Sequence, residues 1–201
     1  MISDKLKDYN IILASESPRR RELLESTGLK FSIARVNCDE KFPGHLQNSA
    51  IAEYLAVAKA DAYGEKLNPR DILITADTIV WCRGTVLGKP RDYSEAFSFL
   101  SLLSDCTHKV ITGISLRSAD RQDTFSVTTE VTFRKLADDE TDYYIRNFSP
   151  FDKAGAYGIQ EWIGITGITS VSGSYYNVVG LPVSHLLEHL LHFVDFNTTE
   201  K

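Results

Sequence analysis

Residues 71–81 read Asp-Ile-Leu-Ile-Thr-Ala-Asp-Thr-Ile-Val-Trp, apolar at nearly every step. A strand with one face in water alternates apolar and polar residues. A run of this kind therefore predicts a strand covered on both faces, with helices on either side of a sheet. Residues 11–14 (Ile-Ile-Leu-Ala) read as a second buried strand. Ser17 then serves as an N-cap with Pro18 at the first helical position, and Gly28 closes that helix. Residues 31–36 read as a strand, and 49–66 as a helix with Ile51, Leu55, Ala58 and Ala62 on one stripe.

Asp92 and Glu95 open a helix in the manner of a capping box, carrying Ala96, Phe99, Leu100 and Leu103. Residues 110–116 form another strand. Phe125, Val127, Thr129, Val131 and Phe133 alternate with polar residues, the pattern of a strand with one solvated face. Residues 138–148 read as a short helix whose acidic start suits the dipole. The last helix follows Pro182 and turns Val183, Leu186, Leu187, Leu190 and Leu191 inward. Strands and helices mix without strict alternation, which predicts an α/β or α+β fold with a mixed sheet. No repeat, low-complexity linker or domain boundary interrupts the chain, so residues 1–201 read as a single domain.

The net charge of −5 argues against general nucleic-acid binding, while leaving room for a local basic pocket. No apolar run approaches membrane-spanning length, and Met1-Ile-Ser-Asp-Lys-Leu-Lys lacks the apolar stretch of a signal peptide. The three cysteines, Cys38, Cys82 and Cys106, are far apart in sequence and form no Cys-x-x-Cys pair. They read as reduced thiols of a cytosolic protein. Asn197-Thr-Thr matches a glycosylation acceptor, but so short a pattern in this context is discounted.

Several segments carry chemistry. In Ala14-Ser-Glu-Ser-Pro-Arg-Arg-Arg a strand leads straight into a helix N-terminus, where free N–H groups favour an anion. Arg19 and Arg20 stand in the first turn, the wrong end of the dipole for cations unless an anion binds there. Asp77 falls within an apolar strand, so its carboxylate must be neutralised, hydrogen-bonded or bound to a cation. A structural aspartate at a strand end is one reading; a hard divalent cation, with Glu40 as second carboxylate, is the sharper one.

Gly84-Thr-Val-Leu-Gly-Lys-Pro90 is one residue short of a phosphate loop, with Pro90 where Ser or Thr is needed, so a P-loop NTPase is excluded. Lys89 is still held stiffly between glycine and proline. Lys59 lies on the inward side of its helix, as a phosphate-directed charge or as a lysine snorkelling at a helix edge. Asp152-Lys-Ala-Gly-Ala-Tyr-Gly-Ile-Gln160 places an acid, a lysine, two glycines and a glutamine together, a set suited to an anionic small molecule. His185, His189 and His192 share a helical face, but a polar face opposite the leucine stripe explains them without a metal.

Together these segments resemble the Maf family of nucleotide pyrophosphatases, the septum-formation-inhibitor-like proteins. The matching residues are Leu13-Ala-Ser-Glu-Ser-Pro-Arg-Arg, Ala76-Asp-Thr, Leu87-Gly-Lys-Pro, Thr112-Gly, Asp152-Lys-Ala-Gly-Ala-Tyr-Gly-Ile-Gln160 and Asn177-Val-Val-Gly-Leu-Pro182. They occur in family order over a motif-bearing core of about residues 10–194. The resemblance implies an elongated, two-lobed α/β domain with a central cleft, like that of the inosine-triphosphate pyrophosphatases. It also implies hydrolysis of a nucleoside triphosphate to monophosphate and pyrophosphate, dependent on Mg²⁺ or Mn²⁺. By that similarity Asp77 is the catalytic acid/base residue, and Ser15, Arg19, Arg20, Lys59, Lys89 and Lys153 line the triphosphate site. Glu40 and Asp77 hold the metal.

Family members differ at positions that correspond here to Arg19, Thr78 and Gln160, and this set looks like the branch acting on dTTP and UTP. A branch acting on 7-methyl-GTP has tryptophan, glutamine and glutamate instead. The imide edge of thymine or uracil offers two carbonyl acceptors around one N–H, and a glutamine amide can donate to one and accept from the other. Glu161-Trp162 follows Gln160 where relatives commonly have glycine. The resemblance further implies a homodimer whose partner is a small nucleotide, in keeping with the cytoplasmic location read from the cysteines and with the charge and hydropathy that argue against nucleic-acid polymer or membrane. Two rival readings are a nucleotide-binding regulator of division and a pyrophosphatase for a purine triphosphate.

Overall fold

Both faces of the long apolar strand are covered. The computed structural model of the chain describes residues 2–195, so Asn197-Thr-Thr lies outside the described residues. The elements run α1 (Ile2–Lys5), β1 (Asn10–Ala14), α2 (Pro18–Glu25), β2 (Phe31–Ala34), α3 (Ser49–Asp61) and β3 (Asp71–Cys82). Then follow β4 (Thr85–Leu87), α4 (Tyr93–Leu103), β5 (Thr107–Arg117), β6 (Gln122–Phe133) and α5 (Asp138–Phe148). Two 3₁₀ turns, Pro150–Asp152 and Ala154–Ala156, lead to α6 (Trp162–Gly167), β7 (Ile168–Ser172), α7 (Tyr175–Val179) and α8 (Val183–Asp195).

The sheet has seven strands in the order β2-β1-β3-β5-β6-β7, with β4 paired to β3. β1 runs parallel to β2 and β3, whereas the β3–β4 and β6–β7 pairs are antiparallel. The fold is α/β with a mixed sheet and flanking helices.

The described residues fall into two compact units. The first holds the chain up to Asp77, Thr112–Val127 and the segment from Gly180 onward; the second holds Thr78–Ile111 and Thr128–Val179. In the first unit, alternate residues of β1 and β3 bury into different clusters. Ile11, Leu13, Ile72, Ile74 and Ala76 join Leu24 of α2 and Leu186, Leu190 and Phe193 of α8. Ile12, Ala14 and Leu73 instead meet Ala60 of α3. This two-sided burial is what the uninterrupted apolar run requires. In the second unit Val80, Val110, Val131 and Phe133 pack with Leu100 and Leu103 of α4 and Tyr144 and Ile145 of α5.

Some expected boundaries move. α3 stops at Asp61 rather than 66, and its buried residues are Ile51, Ala52, Leu55, Ala56 and Ala60. Ala62 is exposed because it stands at the C-cap, where the helix and its cover end. At α4, Asp92 accepts from the Glu95 backbone N–H at 2.9 Å, but Glu95 Oε2 accepts from Arg91 N, one residue before the position of a capping box. The glycine-lysine segment, too short for a phosphate loop, contains β4. It is joined to β3 through Arg83 and Gly84, both with positive φ, as a tight hairpin turn demands.

The approach of α3 to the sheet is close. Thr75 Oγ1 donates to the Ala56 carbonyl at 2.7 Å, and a Cβ on Gly113 would lie 2.2 Å from the Ala52 carbonyl carbon and oxygen. No side chain fits there without moving helix backbone. Gly113→Ala is therefore expected to destabilise the protein by about 1–3 kcal/mol or more, read as a lowered urea midpoint at unchanged m-value.

Candidate active site

Asp77 is the residue whose burial most needs explaining. It lies on β3 with its side chain only 10% exposed, and its carboxylate pairs with the Lys59 ammonium in a very short contact. Lys59 reaches it from the last turn of α3, the helix that Gly113 and Thr75 let settle on the sheet. The same ammonium lies 3.0 Å from Glu40 Oε1, so one cation bridges two carboxylates. Lys59 does not snorkel to solvent: its side chain is 17% exposed and directed at charge. Glu40, by contrast, is half exposed, standing in the irregular segment between β2 and α3.

The turn from β1 into α2 is built from its own hydroxyls. Ser17 caps α2, accepting from the Arg20 backbone N–H at 3.5 Å, and Ser15 Oγ accepts from the Ser17 N–H at 3.3 Å. Arg20 folds back from the helix. Its Nε donates to the Gly180 carbonyl at 2.9 Å and its Nη1 to the Ala76 carbonyl at 2.8 Å. Burial holds its pKa below the usual arginine range, and the neighbouring Arg19 charge acts in the same sense, while Asp77 and Glu40 oppose them. A cation in this first turn thus has partners within the chain itself. Arg19 is partly buried beside it.

In the second unit, Thr78 follows Asp77 on β3 and is partly buried, while Lys89 and Gln160 are exposed. Lys153 is held firmly: Asp152 Oδ1 lies 2.7 Å and Glu161 Oε1 3.0 Å from its ammonium, which is 11% exposed on the side chain. Glu161 accepts a short hydrogen bond from the Tyr144 hydroxyl on its other oxygen, and that hydroxyl in turn accepts from Gly158 N at 3.0 Å. Burial first, then the hydrogen bond to Glu161 and its charge, push the Tyr144 phenol well above its ordinary pKa, so it stays a donor. Gly155 has φ of +71° and donates its N–H to the Gly88 carbonyl at 3.0 Å, joining the 150–160 segment to the Lys89 segment. A Cβ there would meet Val80 Cγ2 at 2.9 Å. Tyr157 anchors the same segment from below, its hydroxyl 2.7 Å from Nε2 of buried His108.

Of the α8 histidines, His189 is packed and paired, while His185 and His192 are exposed. His189 Nδ1 lies 2.9 Å from Asp123 Oδ2, and its ring stacks on Phe125 at 3.5 Å.

A family model described as Maf-like protein matches residues 10–193. The chain belongs to the Maf family. Among curated Maf relatives, a Phocaeicola vulgatus protein named dTTP/UTP pyrophosphatase is 50% identical over 93% of this chain and 97% of its own length. Proteins of the same name from Parabacteroides distasonis and Flavobacterium psychrophilum are 46% and 45% identical. They are matched over 94% and 96% of this chain and 99% and 98% of their own lengths. Among solved structures, the Staphylococcus aureus Ham1 protein matches 64% of this chain and 72% of its own, at 14% identity and a TM-score of 0.45.

The Maf motifs fall on residues with identifiable work in the fold. Thr112-Gly supplies the glycine under α3, Ala76-Asp-Thr the buried carboxylate with the carbonyl that Arg20 grips, and Asn177 a side chain that donates to the Val110 carbonyl at 3.0 Å. Among the described residues no group of three or more His, Cys, Asp or Glu could by itself hold a metal ion. Glu40 and Asp77 nonetheless converge on one cationic centre, the Lys59 ammonium. That donor pair fits Mg²⁺, which commonly takes one or two carboxylates and completes its shell with water and substrate phosphate. Glu161 and Tyr144, which fix Lys153, escaped sequence reasoning: Glu161 registered only as an acid where relatives have glycine, and Tyr144 sits 17 residues away on another helix. No helix among the described residues is long and apolar enough to cross a membrane.

If Lys59 is what makes the Asp77 carboxylate tolerable, removing the ammonium must cost stability. Lys59→Met is expected to lower the unfolding free energy at neutral pH by up to about 3 kcal/mol. A urea titration of the variant beside the native protein measures the loss.

Proposed function

We propose that this Maf protein hydrolyses dTTP and UTP to the nucleoside monophosphate and pyrophosphate, removing surplus or modified pyrimidine nucleotides. The observation that carries the reading is the buried Asp77 carboxylate with Glu40 and the Lys59 ammonium gathered at it. The relatives named dTTP/UTP pyrophosphatase support the substrate and favour pyrimidines over a purine triphosphate. The reading includes a cytosolic location, which the cysteine usage suggests, and a homodimer, taken from the resemblance to the family.

In the proposed reaction a water oxygen attacks the α-phosphorus, the bond from that phosphorus to the bridging oxygen breaks, and pyrophosphate leaves. Asp77 orients the water and receives its hydrogen bond. Bound at Glu40 and Asp77, Mg²⁺ or Mn²⁺ would supply positive charge against the phosphate oxygens. Ser15, Arg19, Arg20, Lys59, Lys89 and Lys153 are assigned to the triphosphate, where fixed cations favour the charge that develops on the leaving group. Arg20 contributes through its field and by fixing the backbone before Asp77. Gln160 is assigned to the base: its amide can donate to a pyrimidine carbonyl and accept from the imide N–H. Arg19 and Thr78 complete the branch-specific set.

A panel of nucleoside triphosphates with Mg²⁺ tests this reading. Pyrophosphate should appear from dTTP and UTP faster than from dCTP or purine nucleotides. Orthophosphate as the product, or no turnover of any pyrimidine triphosphate, would refute it. Asp77→Asn should cut kcat by about 10²–10⁴-fold while nucleotide binding persists. An effect on cell division that survived this change would favour the regulator instead.

The base assignment has its own check. Glutamate at position 160 can only accept, which mismatches the imide carbonyls and costs about 1–3 kcal/mol. Gln160→Glu should therefore lower kcat/KM for dTTP and UTP about tenfold or more, with pyrophosphate still the product. Unchanged pyrimidine kinetics would remove Gln160 from the base-reading role.

A further inference from the structure

Cys82 and Cys106 are separated by 24 positions in sequence, yet their sulfurs lie 3.5 Å apart. Cys82 is the last residue of β3, and Cys106 immediately precedes β5, its neighbour in the sheet. Both backbones are pinned. Cys82 pairs with Thr85 in the β3–β4 register, and the Cys106 carbonyl accepts from Phe133 N at 3.1 Å. The adjoining Asp105 N–H donates to the Arg134 carbonyl at 3.1 Å. Two thiols fixed this way meet more often than the flexible ends of a loop, and a disulfide needs their sulfurs to close to about 2.05 Å. Side-chain rotation at the half-exposed Cys106 can supply that movement.

We propose that Cys82 and Cys106 are a reversible oxidation site that takes up two-electron oxidants such as hydrogen peroxide and closes as an intramolecular disulfide. The surroundings separate the roles of the two sulfurs. Cys82 is 1% exposed, within the cluster of Leu87, Leu100 and Leu103, so a small oxidant in solution reaches Cys106 first. Burial, then the hydrogen bond and charge of Cys106, push the Cys82 thiol up to about 11, which keeps it protonated until its partner has reacted. Among the described residues no third His, Cys, Asp or Glu joins the pair to make a metal site, so a metal does not account for the juxtaposition.

The chemistry balances. Peroxide converts the Cys106 thiol to a sulfenic acid and releases one water. Cys82 Sγ then attacks that sulfur, the S–S bond forms, the S–O bond breaks, and the hydroxyl leaves with the Cys82 proton as a second water. Two thiols and one peroxide thus give one disulfide and two waters. The closed loop contains β4, Lys89 and α4, so the bond staples the segment that carries Lys89 to the sheet.

The test uses the full chain, folded and reduced, titrated with hydrogen peroxide, alkylated and digested without reductant. Mass spectrometry should find the peptides of Cys82 and Cys106 joined with loss of two hydrogens, Cys38 alkylated, and the link reversed by dithiothreitol. The melting temperature of the linked form should rise by roughly 5–10 °C. Cys106→Ser, a change at a half-exposed position, should abolish the link, and Cys38→Ser should leave it intact. Cys82 still alkylatable after Cys106 has gone on to sulfinic acid would overturn the proposal, as would cross-linking through Cys38 instead. None of these readouts depends on nucleotide hydrolysis, so the proposal stands or falls apart from the proposed function.

Discussion

A carboxylate on the central strand of a sheet buried on both faces is the constraint around which the first unit is organised. Left alone, the Asp77 charge would cost several kcal/mol in such surroundings. The chain answers with Lys59, and that answer dictates helix placement. An ammonium on a four-carbon stem reaches Asp77 only if α3 lies almost in contact with the strands beneath it. The bare Cα of Gly113 and the Thr75 hydroxyl on the Ala56 carbonyl make that contact possible. The helix is thus positioned by packing and the charge by the helix. Glu40 then joins from a segment without regular structure, where an acid can approach the ammonium at little cost in burial.

The second unit solves a similar problem with the signs reversed. Lys153 is a largely covered cation, and Asp152 and Glu161 supply the charge that makes its burial tolerable. Glu161 is held in turn by the Tyr144 hydroxyl, which α5 projects from the core. The 150–160 segment has little regular structure of its own. It is fixed by tertiary bonds at Gly155, Tyr157 and Gly158, each to a residue distant in sequence. Such a segment can keep a lysine in place while leaving Gln160 in water.

What the sequence revealed follows from the range of the forces involved. Capping, periodicity and strand burial are local, so the Ser17 cap and the Asp138–Phe148 helix could be read directly. The need of Asp77 for a cation was legible as a cost; the identity of the cation was not, because Lys59 lies 18 positions away and its helix face looked equally suited to snorkelling. The same applies to the cysteines. They looked isolated because spacing along a chain says nothing about neighbouring strands, and the sheet order brings two of them together. The Glu161–Tyr144 contact was hidden for that reason too. The overextended α3 failed differently: Ala62 and Tyr63 carry the apolar pattern past Asp61, and Gly64, a poor helix former, lies inside the expected span.

Arg20 shows a second way in which a charge opposed by a helix dipole can be accommodated. A guanidinium in the first turn of a helix is opposed by the dipole, and a bound anion is one way to offset that. The fold supplies another. The side chain leaves the helix axis and gives two donors to the carbonyls of Ala76 and Gly180, while the carboxylates of Asp77 and Glu40 favour its charge. Its planar fork can hold two carbonyls at fixed angles, which an ammonium could not do. Ala76 immediately precedes Asp77, and Gly180 lies just ahead of α8. Arg20 therefore ties the β1–α2 turn to the backbone on which the buried carboxylate is mounted, with its guanidinium oriented by the two carbonyls and its charge favoured by that carboxylate.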